Sequence, residues 1–193
     1  MHVLAPAPAT AGPVMAAEPV PPAVAAGPAV RLPAPEGYHQ ALAAHRAARL
    51  AKTTTDASDW MSVVWAATSP ESGLFHPVER RSEVKDLSDR FNDLRSRGEG
   101  YVEVRSPNRE FPVLTLAFRG DHAVVHLMSD TERMSLLVGD GAVPSGAEVE
   151  VPIMDGLAAF TGDFVLDVDR AWGLVHDFAR TRAAGPLGEW CEL

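Results

Sequence analysis

The stretch FPVLTLAFRGDHAVVHLMSD, residues 111–130, decides the fold. Two apolar, β-rich runs flank Gly120-Asp121, and such a pair is typical of a tight turn between two strands. The stretch therefore predicts a β-hairpin at the centre of a sheet. It also contains His122 and His126, which raises the question of a metal or catalytic site.

The two histidines are too far apart in a strand to share a metal ion. They point to the same face, but at ~3.3 Å per residue their Cα atoms lie roughly 13 Å apart. Neither an HExxH motif nor a pair of cysteines accompanies them. We therefore predict no metal site and no cofactor, and we expect both histidines to lie partly exposed on the sheet face opposite Val125 and Leu127.

Further strands are expected on both sides of this hairpin. Apolar or alternating runs predict strands at 60–67, 101–105, 134–140, 147–154 and 163–166. Residues 69–77 read as a loop.

Two helices accompany these strands. An apolar stripe at helical spacing predicts the first, from Glu83 to about Arg97, with Ser82 as its cap; its members are Val84, Leu87, Phe91 and Leu94. Asp167 should cap the second helix, which is expected from Val168 to about Arg182.

The order of elements predicts an α+β domain over residues 56–193. Strands linked by hairpins favour an antiparallel sheet of about six to seven strands, with two helices packed on one face. Residues 36–55 predict an N-terminal helix and a linker. Residues 1–35 hold nine of the 16 prolines and predict a disordered Pro/Ala-rich arm. Prolines interrupt every apolar run there, so neither a signal peptide nor a membrane span is expected.

The whole chain has a formal net charge of −9. Its acidic residues are concentrated in the second half. Between Asp130 and Asp169 there are nine acids and one base, Arg133. Such a surface repels nucleic acid and attracts a basic partner. Ordinary solubility is the alternative explanation.

Common catalytic patterns are missing from the sequence. Ser82-Glu83-Val84-Lys85 matches a Ser-x-x-Lys motif, but the companion motifs of such enzymes are absent from the sequence. The start of a helix explains the pattern. Cys191 has no neighbour that would activate its thiol. We therefore predict that the protein is not an enzyme. A small α+β enzyme or ligand-binding domain, with His122, His126 or His76 in a pocket, remains the alternative.

The C-terminal third resembles a known family. FTGDFVLDVDRAWGLVHDFARTRAAGPLGEW, together with LTLAFRGDHAVVHLMSD, is similar to immunity family one, a family of immunity proteins from bacterial polymorphic-toxin systems. The positions that carry the resemblance are Val165-Leu166, Ala171, Phe178, Thr181, Pro186 and Trp190. The resemblance covers about residues 60–190. One departure is Arg182, where the family usually has glycine.

The resemblance implies a non-catalytic antidote. Members bind and neutralise a cognate toxin inside the producing cell, and many are encoded beside deaminase-type toxins. It therefore implies a cytoplasmic protein that occludes the active site of a basic, nucleic-acid-targeting toxin. The oligomeric state stays open between monomer and dimer. Combined with the acidic segment, the resemblance gives these candidate contact residues: Asp130, Glu132, Asp140, Asp155, Asp163 and Trp190.

Overall fold

The structure is a computed structural model that describes residues 62–193. The expected arm (1–35), the expected helix and linker (36–55) and Trp60 lie outside the described residues. In chain order the elements are β1 (Ser62–Thr68), β2 (Phe75–Glu83), α1 (Val84–Arg97), β3 (Glu99–Arg105), β4 (Val113–Arg119), β5 (His122–Met128), β6 (Met134–Leu137), β7 (Glu148–Ile153), β8 (Gly156–Thr161), β9 (Leu166–Asp167), α2 (Val168–Thr181) and β10 (Trp190–Glu192).

The main sheet is antiparallel throughout. Its strand order is β10-β6-β5-β4-β3-β1-β2, and the short β9 pairs with the beginning of β5. The hairpin predicted from residues 111–130 is β4–β5, with Arg119 opposite His122 across the Gly120-Asp121 turn. This confirms the α+β fold and the antiparallel sheet.

Both helices pack on one face of this sheet, as predicted. Leu87, Phe91 and Leu94 of α1 are buried there, and so are Val175 and Phe178 of α2. The two helices meet where the ring of Phe91 stacks on that of Trp172, with centroids 4.1 Å apart. Within residues 62–193, neither helix is long and apolar enough to cross a membrane.

A separate hairpin, β7–β8, covers the opposite face of the main sheet. Its residues Val151, Ala158 and Phe160 share an apolar core with Tyr101 and Val124 of the main sheet. The strand expected at 147–154 is therefore present, but it pairs with β8 and does not extend the main sheet. An alternating pattern specifies that one face of a strand is buried, but it does not specify which strand lies beside it.

The loop expected at residues 69–77 is present only at 69–74, and the helix cap expected at Ser82 is wrong. Residues 75–83 form β2, an edge strand whose residues are mostly exposed. Ser82 belongs to this strand and accepts a hydrogen bond from Nε1 of Trp65 at 2.9 Å. Glu83 takes the N-cap position of α1, with no capping bond from its side chain.

The chain around α2 departs from expectation at one end only. Instead of a strand at 163–166, Gly162–Phe164 forms a 3₁₀ turn that leads into β9. The predicted cap is confirmed, because the carboxylate of Asp167 accepts hydrogen bonds from the backbone N–H groups of Asp169 and Arg170. The helix ends at Thr181, and the C-cap residue Arg182 that follows has a φ of 60°, in the left-handed region.

Candidate partner-binding site

Three of the candidate acids lie at one end of the main sheet. Val113, Met128 and Met134 are neighbours across β4, β5 and β6 and form the last row of these strands. Asp130 and Glu132 lie in the turn that follows Met128. Because Met154 packs against the same row, Asp155 in the β7–β8 turn comes to this end as well. We call it the β5–β6 end.

The apolar side chains at the β5–β6 end are covered only in part. Phe111 and Met154 are half-buried against the row of Val113, Met128 and Met134. Glu110, Glu132 and Asp155 provide carboxylates at the same end. The result is a half-buried apolar cluster with carboxylates in the adjoining segments of chain. Sequence reasoning missed Phe111 and Met154, since residues far apart in the chain are brought together only by the folding of β7–β8 onto the sheet.

Asp130 is partly committed to its own turn. Its carboxylate accepts hydrogen bonds from the backbone N–H groups of Glu132 and Arg133 and from Nε of Arg133, at 2.7–2.9 Å. These bonds, the backbone ones first, lower the pKa of Asp130 to about 2. It therefore stays ionised at any physiological pH and fixes the turn that presents the exposed Glu132.

Asp140 and Asp163 lie at the opposite end of β5. Backbone bonds connect their loops there, with Gly139 N–H donating to the Asp163 carbonyl at 2.6 Å. This region adjoins β9, which pairs with His122 at the start of β5. Seven residues of β5 separate the two ends by roughly 20 Å, so the six candidate residues do not form one surface.

Asp140 has a structural role at this opposite end. Its side chain is 8% exposed and lies 3.5 Å from Nη1 of Arg170. It accepts hydrogen bonds from the backbone N–H groups of Ala142 and Asp167. Asp140 thus ties the loop after β6 to the start of α2 and offers little surface to a partner, whereas Asp163 is exposed.

Trp190 docks on the body of the protein. It begins β10, is half-buried against the helix-side core, and donates its indole N–H to the carbonyl of Ala184 at 3.2 Å. Of the two roles that the sequence allowed for this residue, anchoring the chain and contacting a partner, the geometry favours anchoring.

The histidines of the alternative hypothesis lie in three different environments. His122 is exposed, and His76 lies at the exposed edge strand β2. His126 is only 2% exposed, so the expectation of partial exposure was wrong. The physical reason is the β7–β8 hairpin, which covers this face and places Phe160 edge-on to the imidazole at 5.4 Å between centroids.

His126 belongs to a polar row in the buried interior. Glu103, Thr115 and His126 are register neighbours on β3, β4 and β5, and all three are buried. The hydroxyl of Tyr101 donates to Oε1 of Glu103 at 3.0 Å, whereas Nδ1 of His126 has no hydrogen-bond partner. Burial lowers the pKa of His126 to about 4, so the imidazole is neutral at pH 7. Within residues 62–193, no cluster of three His, Cys, Asp or Glu side chains could hold a metal ion.

Comparison with known proteins assigns neither a family nor a function to the chain. No protein-family model matches the chain, and the search of curated proteins finds no relative.

Proposed function

We propose that this protein is a cytoplasmic immunity protein that binds a cognate toxin and blocks its active site. The toxin is of the nucleic-acid-targeting, deaminase type, and its substrate surface is basic. The observation that carries the proposal is the β5–β6 end, where Phe111 and Met154 form an apolar centre and Glu132 and Asp155 lie nearby with exposed side chains.

This arrangement has the anatomy of a protein-binding surface. Stable interfaces place apolar or aromatic side chains at the centre, where they lose contact with water, and polar groups at the rim. At the β5–β6 end, Phe111 and Met154 are half-buried already, so a partner covers their remaining surface with little loss of side-chain freedom. The surrounding carboxylates would face the arginines and lysines with which a toxin holds nucleic acid.

Charge would act mainly on the rate of association. The net charge of −9 gives the whole chain a negative field, and such fields raise association rates roughly 10- to 1,000-fold at low salt. At the β5–β6 end, Arg133 is paired with Asp130. Glu132 and Asp155 are the exposed carboxylates at this end, and Glu110 is half-buried.

The positions behind the family resemblance support the scaffold of this proposal. Val165, Leu166, Ala171 and Phe178 are each at most 1% exposed. Leu166, Ala171 and Phe178 join α2 to the sheet, and Val165 packs in the core on the opposite face, beneath β7–β8. They are positions that preserve the fold, while the loops at the β5–β6 end are free to differ with the toxin. The resemblance thus concerns the fold, and we propose that the exposed loops determine which toxin is bound.

Calorimetric titration with the toxin domain encoded beside this chain tests the proposed surface. We expect the double variant Glu132→Lys/Asp155→Lys to weaken binding at least tenfold, because two attractive charges become repulsive. The matched control is Asp93→Lys/Asp177→Lys, which makes the same change of charge at exposed positions of the two helices. Equal weakening by both variants, or affinity that does not change between low and physiological salt, would contradict the role of the acidic rim.

A further inference from the structure

A groove of about 160 Å³ lies on the helix side of the sheet, between β2 and α1. It adjoins a wider cleft along α1, of about 380 Å³. Trp65, Arg80 and Arg90 line both, so the two arginines lie where groove and cleft meet. The groove is separate from the β5–β6 end, because β1, β3 and β4 lie between β2 and β5.

An irregularity in the β1–β2 pairing brings two basic side chains of β2 together. Arg80 lies opposite Trp65, and His76 lies opposite Ala67. These partners are two residues apart on β1, so His76 and Arg80 are separated by roughly 7 Å along the strands, whereas four residues of a regular strand span roughly 13 Å. Residues directly opposite each other in an antiparallel pair share a face. Both side chains therefore lie on the helix side, where they line the groove with Trp65.

A third basic side chain reaches the groove from α1. The guanidinium carbons of Arg80 and Arg90 lie 5.6 and 5.9 Å from the ring centroid of Trp65. At these distances cation–π attraction holds both arginines in place. Arg80 is exposed and Arg90 is half-buried. The ring thus gathers two guanidinium groups from different elements at a point that solvent can reach.

The polar groups of these three side chains are unused. Within residues 62–193, His76, Arg80 and Arg90 take part in no hydrogen bond and no ion pair. In the same part of the chain Arg105 and Arg133, by contrast, are paired with carboxylates. The groove therefore collects donors that the fold leaves without an acceptor.

A carboxylate at the edge of the groove responds to both arginines. Glu71 is exposed, and a hydrogen bond from Ser69 is the main cause that lowers the pKa of its side chain. The charges of Arg90 and Arg80 lower it further, although neither arginine is within ion-pair distance of it. The side chains that line the groove thus favour negative charge, within a chain whose net charge is −9.

The groove does not suit a nucleic-acid base. Recognition of a base by tryptophan needs an open ring face for stacking, but Trp65 is only 5% exposed. Its indole N–H is also engaged, since it donates to Ser82. A ligand in the groove meets the guanidinium and imidazole groups, which recognise charge and oxygen acceptors.

We propose that this groove binds the phosphate group of a small phosphate monoester through Arg80, Arg90 and His76. Near neutral pH such a group carries between one and two negative charges and three acceptor oxygens, which matches three separate donor side chains. Guanidinium groups bind phosphate through paired, charge-assisted hydrogen bonds. A carboxylate has one charge and two oxygens, so it fits this set of donors less well.

The adjoining cleft restricts the rest of the ligand. Asp86 and Asp93 line it and are exposed. Their carboxylates repel a second anionic group but accept hydrogen bonds from hydroxyl groups. The ligand is therefore a monoester with one phosphate and a hydroxylated remainder, and not a polyphosphate.

A titration followed by NMR tests this proposal. Glycerol 3-phosphate is the probe, added to the ¹⁵N-labelled full chain at an ionic strength held constant with sodium chloride. We expect saturable shifts of the Trp65 indole N–H and of the amides around Arg80 and Arg90. Arg80→Gln and Arg90→Gln should each weaken binding about tenfold, the effect of a charge-assisted bond, and His76→Gln about threefold.

Further variants separate binding from damage to the fold. Arg180→Gln removes an exposed arginine of α2 and should leave the affinity unchanged. Arg80→Lys keeps the charge but loses the paired donors, so it should retain more binding than Arg80→Gln. Glu71→Gln removes a competing negative charge and should tighten binding about twofold.

Four results would overturn the proposal. They are the absence of a saturable shift with glycerol 3-phosphate, equal binding of succinate, binding of inorganic phosphate that is tighter than that of the ester, and an affinity that neither Arg80→Gln nor Arg90→Gln changes. The second would make the groove a site for carboxylates, and the third would exclude a role for the hydroxylated remainder. None of these results depends on whether the toxin-binding proposal holds.

Discussion

His126 is the residue whose environment departs most from what its type would suggest. Its imidazole is 2% exposed, packs against Phe160 and leaves Nδ1 without a partner. Burial lowers its pKa from 6.5 to about 4. In this pH range the unfolded chain therefore binds more protons than the folded protein, and stability must fall as the pH falls.

We expect the free energy of unfolding to decrease by about 3 kcal/mol between pH 6.5 and pH 4 because of this one group. His126→Leu fills a similar volume without the unpaired nitrogen, so it should remove this part of the pH dependence and raise stability at pH 5. Urea denaturation at several pH values measures both effects. The exposed His122 supplies the control, since His122→Leu should keep the slope of the wild type. A slope unchanged by His126→Leu would contradict the assignment.

Arg182 is held in a backbone conformation that glycine adopts more readily. Its φ of 60° ends α2, and its backbone N–H donates to the carbonyl of Phe178 at 2.7 Å. A side chain in the left-handed region costs free energy that glycine avoids. The sequence marked this position through the resemblance, since the family usually has glycine there.

Arg182→Gly should therefore raise the free energy of unfolding by about 0.5–1 kcal/mol. Arg180→Gly makes the same replacement inside the last turn of α2 and should lower it by about 1 kcal/mol. Thermal melts of the two variants, compared with the wild type, measure the difference. If both variants lose stability to a similar extent, the strain at Arg182 is not real.

Among the secondary-structure elements, the β7–β8 hairpin was the hardest to predict. The sequence reveals β4 and β5 because both are apolar and their turn is Gly120-Asp121. The sequence does not reveal β2, β8 or β10. These are exposed or short strands whose pairing depends on neighbours far away in the chain. Apolar periodicity indicates which residues are buried. Strands at the edge of a fold bury few residues, so their sequences show little of this periodicity.

The two segments that flank the β7–β8 hairpin approach each other closely through their backbones. A Cβ built on Gly162 would lie 2.1 Å from the carbonyl oxygen of Pro144, closer than any real contact. Gly162→Ala must therefore displace the loop before β7, together with the residues that cover His126. Overpacking of this kind costs about 1–3 kcal/mol.

Gly173→Ala is the matched substitution on α2, where an added Cβ meets nothing within 4 Å. It should raise stability by about 1 kcal/mol, because alanine is the better helix former. Hydrogen exchange of β7 and β8 amides, measured with the melts, should accelerate in Gly162→Ala and not in Gly173→Ala. Equal stability of the two variants would contradict the close approach.

For the whole molecule, the folded structure changes the meaning of the acidic segment. In the sequence, the nine acids between Asp130 and Asp169 suggest a single acidic surface. In the structure, the candidate contact acids among them lie at opposite ends of β5. Several are engaged in structural roles: Asp130 in its turn, Asp140 beneath α2 and Asp167 as a helix cap. The sequence alone could not sort these roles, since a carboxylate that caps a helix and one that meets a partner are the same residue type.

The remaining surface candidate, the β5–β6 end, combines residues that the sequence proposed with residues that it missed. Glu132 and Asp155 came from the charge pattern, whereas Phe111 and Met154 follow from the packing of β7–β8. The proposal that this protein neutralises a toxin depends on both kinds of residue, so both should be required for protection in the cell.

Co-expression with the toxin domain encoded beside this chain tests that proposal most directly. We predict that the wild-type chain restores growth of cells producing the toxin domain. Phe111→Ser combined with Glu132→Lys and Asp155→Lys should abolish protection, although the variant still folds. The control Asp93→Lys/Asp177→Lys should protect like the wild type. Growth arrest that the wild-type chain does not relieve, or relief that survives the triple substitution, would contradict the account.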